Sequence, residues 1–241
     1  MRFLTTNLAK TATLSSTNES TNYPASNLAH QFLRFRWQPY GSGENTVTAL
    51  WSEDQTIDVV FLGYISSVIT NIDLKFYDSS DVLLETLSAI DTSLGNGAYY
   101  LSQQRTNVRY MEIVATGASG YYIGGLGVGE YFQPNRQTSS HPFGNDDRSV
   151  VSATPWGNRL VNRIPALATT EFSWEGQLRS DWDTFLENVL DPVGIGGTLW
   201  IDYYELDHSI KTPDYASLED LSDSENDGYR YSWSVRLKEA R

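Results

Sequence analysis

The sequence predicts a mainly β protein of two domains, in which one α-helix packs on a small barrel or sheet in the second domain. Three observations predict this fold class. The chain has 241 residues, which is enough for two hydrophobic cores. Aromatic residues make up 13% of it, and aromatic and β-branched side chains favour half-buried strands. Short alternating runs of apolar and polar residues are frequent, whereas one stretch alone has convincing helical periodicity.

The first half of the chain contains the clearest strand patterns. Residues 58–62, 72–77 and 109–114 alternate between apolar and polar side chains. Turn-forming residues at 77–81 and at 94–97 lie beside such runs and predict two hairpin connections.

A glycine-rich stretch covers residues 117–130. Its spacing matches neither the dinucleotide-binding pattern nor the phosphate-binding loop with its Lys-Ser/Thr pair, and no βα unit surrounds it. We therefore expect these glycines to mark a bulge or a close backbone approach within a strand.

The boundary between the domains is predicted at residues 134–147, which have no period and many turn formers. This linker separates a first domain, residues 1–133, from a second domain, residues 148–241. In the second domain a helix is predicted at about 180–190, opened by an Asp/Ser cap. Its apolar stripe consists of Trp182, Phe185, Leu186 and Val189, and Pro192 and Gly194 act as stop signals after it.

Four further strands are predicted in the second domain. They cover residues 149–152, 170–175, 197–204 and 229–237. Between the last two of these strands, residues 205–227 read as a polar, acidic insertion, and loops of this length are commonly functional.

The residues that usually carry catalysis or bind metal are scarce. Cysteine is absent, which excludes disulfides, thiolate metal sites and thiol nucleophiles. The three histidines, His30, His141 and His208, lack metal-ligand spacing. Residues 223–228 resemble the start of a calcium loop, but its twelfth position is Ser234 and not a glutamate. We therefore expect no enzyme, no catalytic residues, no metal and no cofactor, with calcium as a minor alternative.

The charge balance indicates which partners the protein lacks. The formal net charge is −13, with 30 acidic against 17 basic residues, which argues against direct nucleic-acid binding. The first residues turn polar too early for a signal peptide, and no stretch approaches the length of a membrane span. We expect a protein that folds in the cytoplasm.

The first domain resembles discoidin-like, or galactose-binding-like, jelly rolls. The resemblance rests on Pro-Ala-Ser-Asn-Leu at 24–28, on Arg-Trp at 36–37 and on a strand that ends in Leu-Gly at 62–63. It covers roughly residues 7–132 and implies a β-sandwich of the jelly-roll type. It also implies that the tip of the sandwich binds a sugar or a lipid head group. The candidate ligand-binding residues are Tyr23, Arg34, Arg36, Trp37 and Trp51.

The second domain resembles the tail-ring domain of bacteriophage distal tail proteins. The resemblance rests on the order of its parts: Trp-Gly at 156–157, a strand with Trp174, an amphipathic helix, Trp-Ile-Asp at 200–202, and a long loop before the closing strand. It departs from the family in domain order, since many relatives place the ring domain first. This leaves another tail-tip or baseplate component open.

That second resemblance implies a structural virion protein. The chain would form a ring of identical subunits, a homohexamer, that connects the tail-tube protein to the hub and fibre proteins. DNA would pass through the channel of this ring, and an acidic lining would keep the DNA from sticking. The 205–227 insertion is expected to contact a neighbouring subunit or another virion protein. Its candidate contact residues are Glu205, Asp207, Asp214, Tyr215, Glu219 and Asp220.

Two other functions stay open. In one, the protein is a carbohydrate-binding module that binds a host surface glycan through its first domain. In the other, paired carboxylates such as Asp146-Asp147 or Glu219-Asp220 serve a hydrolase, although the sequence does not give their separation in space.

Overall fold

The computed structural model describes residues 2–30, 35–88, 95–134, 144–146, 150–153, 159–162, 167–194, 198–202, 214–225 and 230–239. Its strands are β1 (Arg2–Leu4), β2 (Thr13–Ser16), β3 (Gly43–Gly63), β4 (Ile69–Tyr77), β5 (Leu83–Leu87), β6 (Gly97–Gly117), β7 (Gly125–Gly129), β8 (Tyr131–Phe132), β9 (Gly144–Asp146), β10 (Val150–Ala153), β11 (Arg159–Asn162), β12 (Leu167–Leu178), β13 (Thr198–Asp202), β14 (Asp214–Glu225) and β15 (Arg230–Glu239). The protein is therefore mainly β, as predicted.

The first unit is a β-sandwich of the jelly-roll type. Its sheet has the order β2-β3-β6-β4-β5, and β7 pairs with the second half of β3. The two longest strands, β3 and β6, have 21 residues each. Their pairing changes register between Leu50 and Val59, which lets both strands bend. One large core fills the unit, with its bulkiest buried side chains at Trp37, Trp51, Ile57, Ile72, Phe76 and Tyr121.

One of the two predicted hairpins is confirmed. The carboxylate of Asp78 accepts hydrogen bonds from the backbone N–H groups of Ser80 and Val82, at 2.8 and 3.0 Å, and closes the turn between β4 and β5. The hairpin expected at 94–97 is wrong, because β6 pairs with β3 and β4 and not with β5 before it. Turn residues mark a connection but do not select the partner strand.

The second unit is built on a seven-stranded sheet with the order β8-β1-β13-β14-β15-β12-β9. Two of its strands come from residues expected in the first domain. Phe3 pairs with Ile201 of β13 on one side and with Phe132 of β8 on the other. A strand of three residues is too short to show a period, so the sequence pattern could not assign it.

The acidic insertion expected at 205–227 is in large part a strand. Residues 214–225 form β14, which pairs with β13 and β15 in the interior of the sheet. A register shift between Leu218 and Asp220 interrupts its alternation, which explains why its sequence resembles a loop. Residues 203–213 lie outside the described part of the chain.

A continuous helical run covers residues 179–193 and confirms the predicted helix. It consists of α1 (Arg179–Phe185), a π-helical turn (Leu186–Leu190) and α2 (Asp191–Val193). The predicted stripe packs on the second core, where Trp182, Phe185 and Val189 are buried. The predicted cap is wrong, since the capping position is Leu178, which has no side-chain cap bond. The run ends at Gly194, whose φ of +69° favours glycine.

A small third core joins the two units. It contains Leu4 and Trp200 from the second sheet and Val59 and Phe61 from β3, all buried. The rings of Phe61 and Trp200 stack with centroids 5.8 Å apart. Gly127 of β7 lies against the same indole, because a Cβ placed there would be 2.6 Å from Cδ1 of Trp200. The expected close backbone approach is confirmed at this glycine.

Within the described ranges, no helix has the length and apolar character needed to cross a membrane.

Substituting Gly127 with Ala tests the contact between the units. The added methyl group overlaps the Trp200 indole, so we expect the free energy of unfolding to fall by about 1–3 kcal/mol. Urea unfolding of the Gly127→Ala variant measures this loss. In a Trp200→Phe background the smaller ring leaves room, and the cost of the same substitution should shrink. An equal cost in both backgrounds would show that the two residues are not in contact.

Candidate functional site

Three backbone segments meet at one end of the sandwich and form the candidate site. Trp37 and Ile123 exchange two backbone hydrogen bonds of 2.9 and 3.1 Å. The N–H of Ser66 donates to the carbonyl of Tyr122 at 3.0 Å, and that of Gly124 donates to the carbonyl of Gly63 at 2.9 Å. The loop before β3, the turn after β3 and the turn before β7 are therefore fixed relative to one another.

The guanidinium of Arg36 lies over two tyrosine rings at this end. Its Cζ is 4.3 Å from the ring centroid of Tyr122 and 5.0 Å from that of Tyr23. The amide of Asn27 donates to the carbonyl of Arg36 at 3.0 Å and fixes its backbone. Both side chains that flank the guanidinium are partly exposed, so the cluster forms part of the surface.

Tyr64 extends this cluster outwards. Its ring centroid is 5.4 Å from that of Tyr122, and the residue is 51% exposed. Its φ of +54° is uncommon for a residue with a side chain. This strained conformation costs energy, which contacts with the surrounding residues must offset. The side-chain oxygen of Asn96 accepts a hydrogen bond of 2.7 Å from the Tyr64 N–H and helps to hold this conformation.

The tyrosine hydroxyl at the centre of the cluster stays protonated at neutral pH. Burial raises the pKa of Tyr122 above its ordinary value, and the hydrogen bond with Tyr64 raises it further. The positive charge of Arg36 acts in the opposite direction on that pKa. The cluster can therefore both donate and accept hydrogen bonds.

Two of the five predicted ligand-binding residues, Tyr23 and Arg36, come together in this cluster. Trp37 and Trp51 lie in the core behind the surface, at 0% and 2% exposure, and the indole N–H of Trp51 donates to a backbone carbonyl. Arg34 lies outside the described residues.

Sequence reasoning missed Tyr64, Asn96 and Tyr122. Each lies in a turn, and the sequence signal that could have found them is an aromatic or amide residue next to glycine, as in Gly63-Tyr64 and Gly95-Asn96.

Four of the six predicted contact residues of the second domain lie on a strand and not in a loop. Asp214, Tyr215, Glu219 and Asp220 lie on β14, and the Asp220 side chain is exposed. Glu205 and Asp207 lie outside the described residues. Residues 223–225, where a calcium loop was considered, belong to the same strand. Among the described residues, no group of three His, Asp or Glu side chains is placed to hold a metal ion.

A concave surface lies between the units. It is a groove of about 510 Å³, which is within the usual size range of ligand sites. Its polar lining comes from both units and includes Gln55, Thr56, Glu130 and Asn188.

Asp58 is half-buried near this groove. Its carboxylate accepts a hydrogen bond of 3.0 Å from the N–H of Tyr131. Burial raises the pKa of Asp58 to about 6, and the negative charge of Glu130 contributes to the rise. The hydrogen bond from Tyr131 opposes it.

No protein-family model matches the chain, and no curated protein matches it. Solved structures resemble it over about half its length. The lectin domain of Lectinolysin complexed with Lewis B antigen matches with a TM-score of 0.45 and 8% identity, over 51% of this chain and 95% of that domain. The family 32 CBM of C. perfringens NanJ in complex with galactose matches with a TM-score of 0.46 and 14% identity, over 55% of this chain and 100% of that module. A Streptococcus pneumoniae fucose binding module matches with a TM-score of 0.44 and 11% identity, over 52% of this chain and 94% of that module.

These neighbours are carbohydrate-binding modules. Likenesses of this size do not assign a ligand, which has to be inferred from the side chains of the site.

Replacing Asp58 with Asn tests its protonation. The folded protein keeps the Asp58 proton up to about pH 6, whereas the unfolded chain loses it near the ordinary value of 3.8. The contribution to stability is therefore fully present below about pH 4 and is lost as the pH rises through 6. We expect the Asp58→Asn variant to gain stability relative to the wild type between pH 4.5 and pH 7, as measured by urea unfolding.

The matched control for this measurement is Glu187→Gln, which removes an exposed carboxylate from the helical run. Its difference from the wild type should change little over the same range of pH. If Asp58→Asn behaved like this control, Asp58 would be ionised in the folded protein throughout.

The strained backbone at Tyr64 gives a second test. Tyr64→Ala and Tyr64→Gly both remove the ring, but only glycine adopts a positive φ without steric cost. We expect the glycine variant to be more stable than the alanine variant by about 0.5–1 kcal/mol, because relief of strain exceeds the added freedom of the unfolded chain. Thermal unfolding measures the difference. A more stable alanine variant would place φ of residue 64 in the ordinary negative region.

Proposed function

We propose that this protein binds carbohydrate at the end of its first unit, through the surface formed by Tyr23, Arg36, Tyr64 and Tyr122. The observation that supports this most directly is the planar guanidinium that lies over two tyrosine rings, beside an exposed third ring. A sugar presents C–H groups on the faces of its ring and hydroxyls around the edge. Aromatic rings bury the C–H faces, and Arg and Tyr supply hydrogen bonds to the edge.

The site is organised before any ligand arrives. Its loops are joined by backbone hydrogen bonds, and Asn96 holds Tyr64 in its uncommon conformation. Fixed side chains lose little conformational entropy on binding, which favours affinity. Strained residues that the surroundings hold in place cluster at ligand sites, and Tyr64 fits that pattern.

The proposed function is binding and not a reaction. The described side chains of the cluster include no carboxylate pair and no nucleophile beside a base, which hydrolysis of a glycosidic bond or acyl transfer would require. Tyr122, whose pKa is raised by burial, and Arg36 suit hydrogen bonding at neutral pH.

The tail-ring function stays a prediction. No observation from the described residues favours it, and the segment expected to contact a neighbouring subunit is in large part an interior strand of its own sheet. The tail-ring function can be tested separately by measuring the mass of the protein in solution and by looking for the protein in assembled particles.

Single substitutions of the exposed rings test the carbohydrate site. After a glycan array with the full chain has identified a ligand, we expect Tyr64→Ala and Tyr23→Ala to weaken its affinity by about tenfold or more, since each removes a stacking face. Isothermal titration calorimetry measures the change in Kd.

The control is Tyr77→Ala, which also removes a ring from a stacked tyrosine pair. Tyr77 ends the nine-residue strand β4, roughly 26 Å along the strand from Ile69, which adjoins the site. A second control, Asn188→Ala, alters the groove between the units. Loss of binding in Asn188→Ala with full binding in Tyr64→Ala would move the site to the groove.

A further inference from the structure

Apart from Arg36 itself, the described side chains of the proposed site are uncharged. Glu19 brings a carboxylate to this end of the sandwich, where it accepts a hydrogen bond of 2.6 Å from the backbone N–H of Ala25. The whole chain has 30 acidic residues and a net charge of −13. Since the Debye length at physiological salt is about 8 Å, the local charges dominate the potential that a bound ligand experiences. Arg36 is therefore a local positive charge at the surface of an acidic protein.

Arg36 differs from other arginines in its partners. Three arginines elsewhere pair with carboxylates, namely Arg105 with Glu85, Arg109 with Asp54 and Arg179 with Asp183. Arg36 forms no ion pair within the described part of the chain, and its partners there are tyrosines. Among the described residues, its charge therefore has no carboxylate counter-ion.

The guanidinium of Arg36 has five N–H donors, more than its tyrosine contacts use. It lies over the rings of Tyr23 and Tyr122, with Cζ 5.0 and 4.3 Å from their centroids, and it forms a side-chain hydrogen bond with Tyr122. A guanidinium carries its N–H donors around its edge, in a fork that matches the oxygens of a carboxylate or a sulfate. Stacking also restricts the side chain, so less conformational entropy is lost when an anion binds.

We propose that the sugar bound at this site carries an anionic oxygen group, a carboxylate or a sulfate, which pairs with the edge of Arg36. This inference rests on the proposed carbohydrate binding and adds the chemical class of the ligand. The tyrosine rings contact the sugar, and Arg36 selects for the charge.

Matched pairs of sugars test the charge selection on the full chain. Calorimetry compares galacturonic acid oligosaccharides with galactose oligosaccharides, sialyllactose with lactose, and galactose 6-sulfate with galactose. We expect the charged member of at least one pair to bind about tenfold tighter or more, which is the usual contribution of a hydrogen bond to a charged group. The carboxylate and sulfate arms show which group the site prefers.

Substitution of Arg36 assigns that preference to its side chain. Arg36→Gln should remove the difference within the pair, and Arg36→Lys should retain part of it, because lysine keeps the charge but lacks the fork. Thermal unfolding checks that both variants fold. If Arg36→Gln does not fold, the test uses the wild type alone. Raising the salt from 50 to 500 mM should then reduce the difference in affinity between charged and neutral sugars.

The outcomes separate the two proposals. If neutral and charged sugars bind equally well and Tyr64→Ala abolishes both, charge selection is overturned and carbohydrate binding stands. If no sugar of either kind binds the full chain, both proposals fall. If inorganic sulfate alone binds as tightly as the sulfated sugar, the site recognises an anion without a sugar, and carbohydrate binding at this end is overturned.

Discussion

Phe3 and Leu4 face opposite sides of one short strand, and this alternation ties the two units of the molecule together. Phe3 is buried in the core of the second unit, where its ring lies 5.0 Å from that of Phe185. Leu4 is buried in the small core shared with Val59 and Phe61. Because neighbouring residues of a strand point to opposite faces, three residues suffice to contact both cores. The strand lies between β8 and β13, so it also completes the backbone hydrogen bonds of the second sheet.

A polar network reinforces the same junction. The guanidinium of Arg2 lies over the rings of Tyr100 and Tyr131, at 4.4 and 4.9 Å, and the hydroxyl of Tyr100 donates to the buried carboxylate of Asp202 at 2.5 Å. The units therefore share an apolar contact around Trp200 and a charged contact around Arg2. The proposed binding surface is built by other loops of the sandwich. It depends on the junction only through the long strand β3, which contributes Val59 and Phe61 to the shared core and ends beside Tyr64.

The sequence predicted those strands and the helix whose patterns are local in the chain. Alternation identified the long strands of the sandwich, and the stripe of Trp182, Phe185 and Val189 identified the helix, because each pattern reports one buried face. The bulge in β14 and the brevity of β1 hid two strands, since a period needs several uninterrupted residues. In the candidate site, Tyr23 and Arg36 were found through a motif. Tyr64 and Tyr122 were not found, because only tertiary folding brings their turns together.

The pairing of β1 with β13 has a consequence for how the protein is made. Arg2 pairs with Asp202, so the partner of the first strand is synthesised about 200 residues later. At roughly 5–20 residues per second, the ribosome needs on the order of 10–40 s to supply it. During that time Phe3 and Leu4 have no β13 to pair with, although the strands of the sandwich have already been made. Strand β1 therefore completes its pairing only after β13 has emerged, although its other neighbour, β8, is made much earlier.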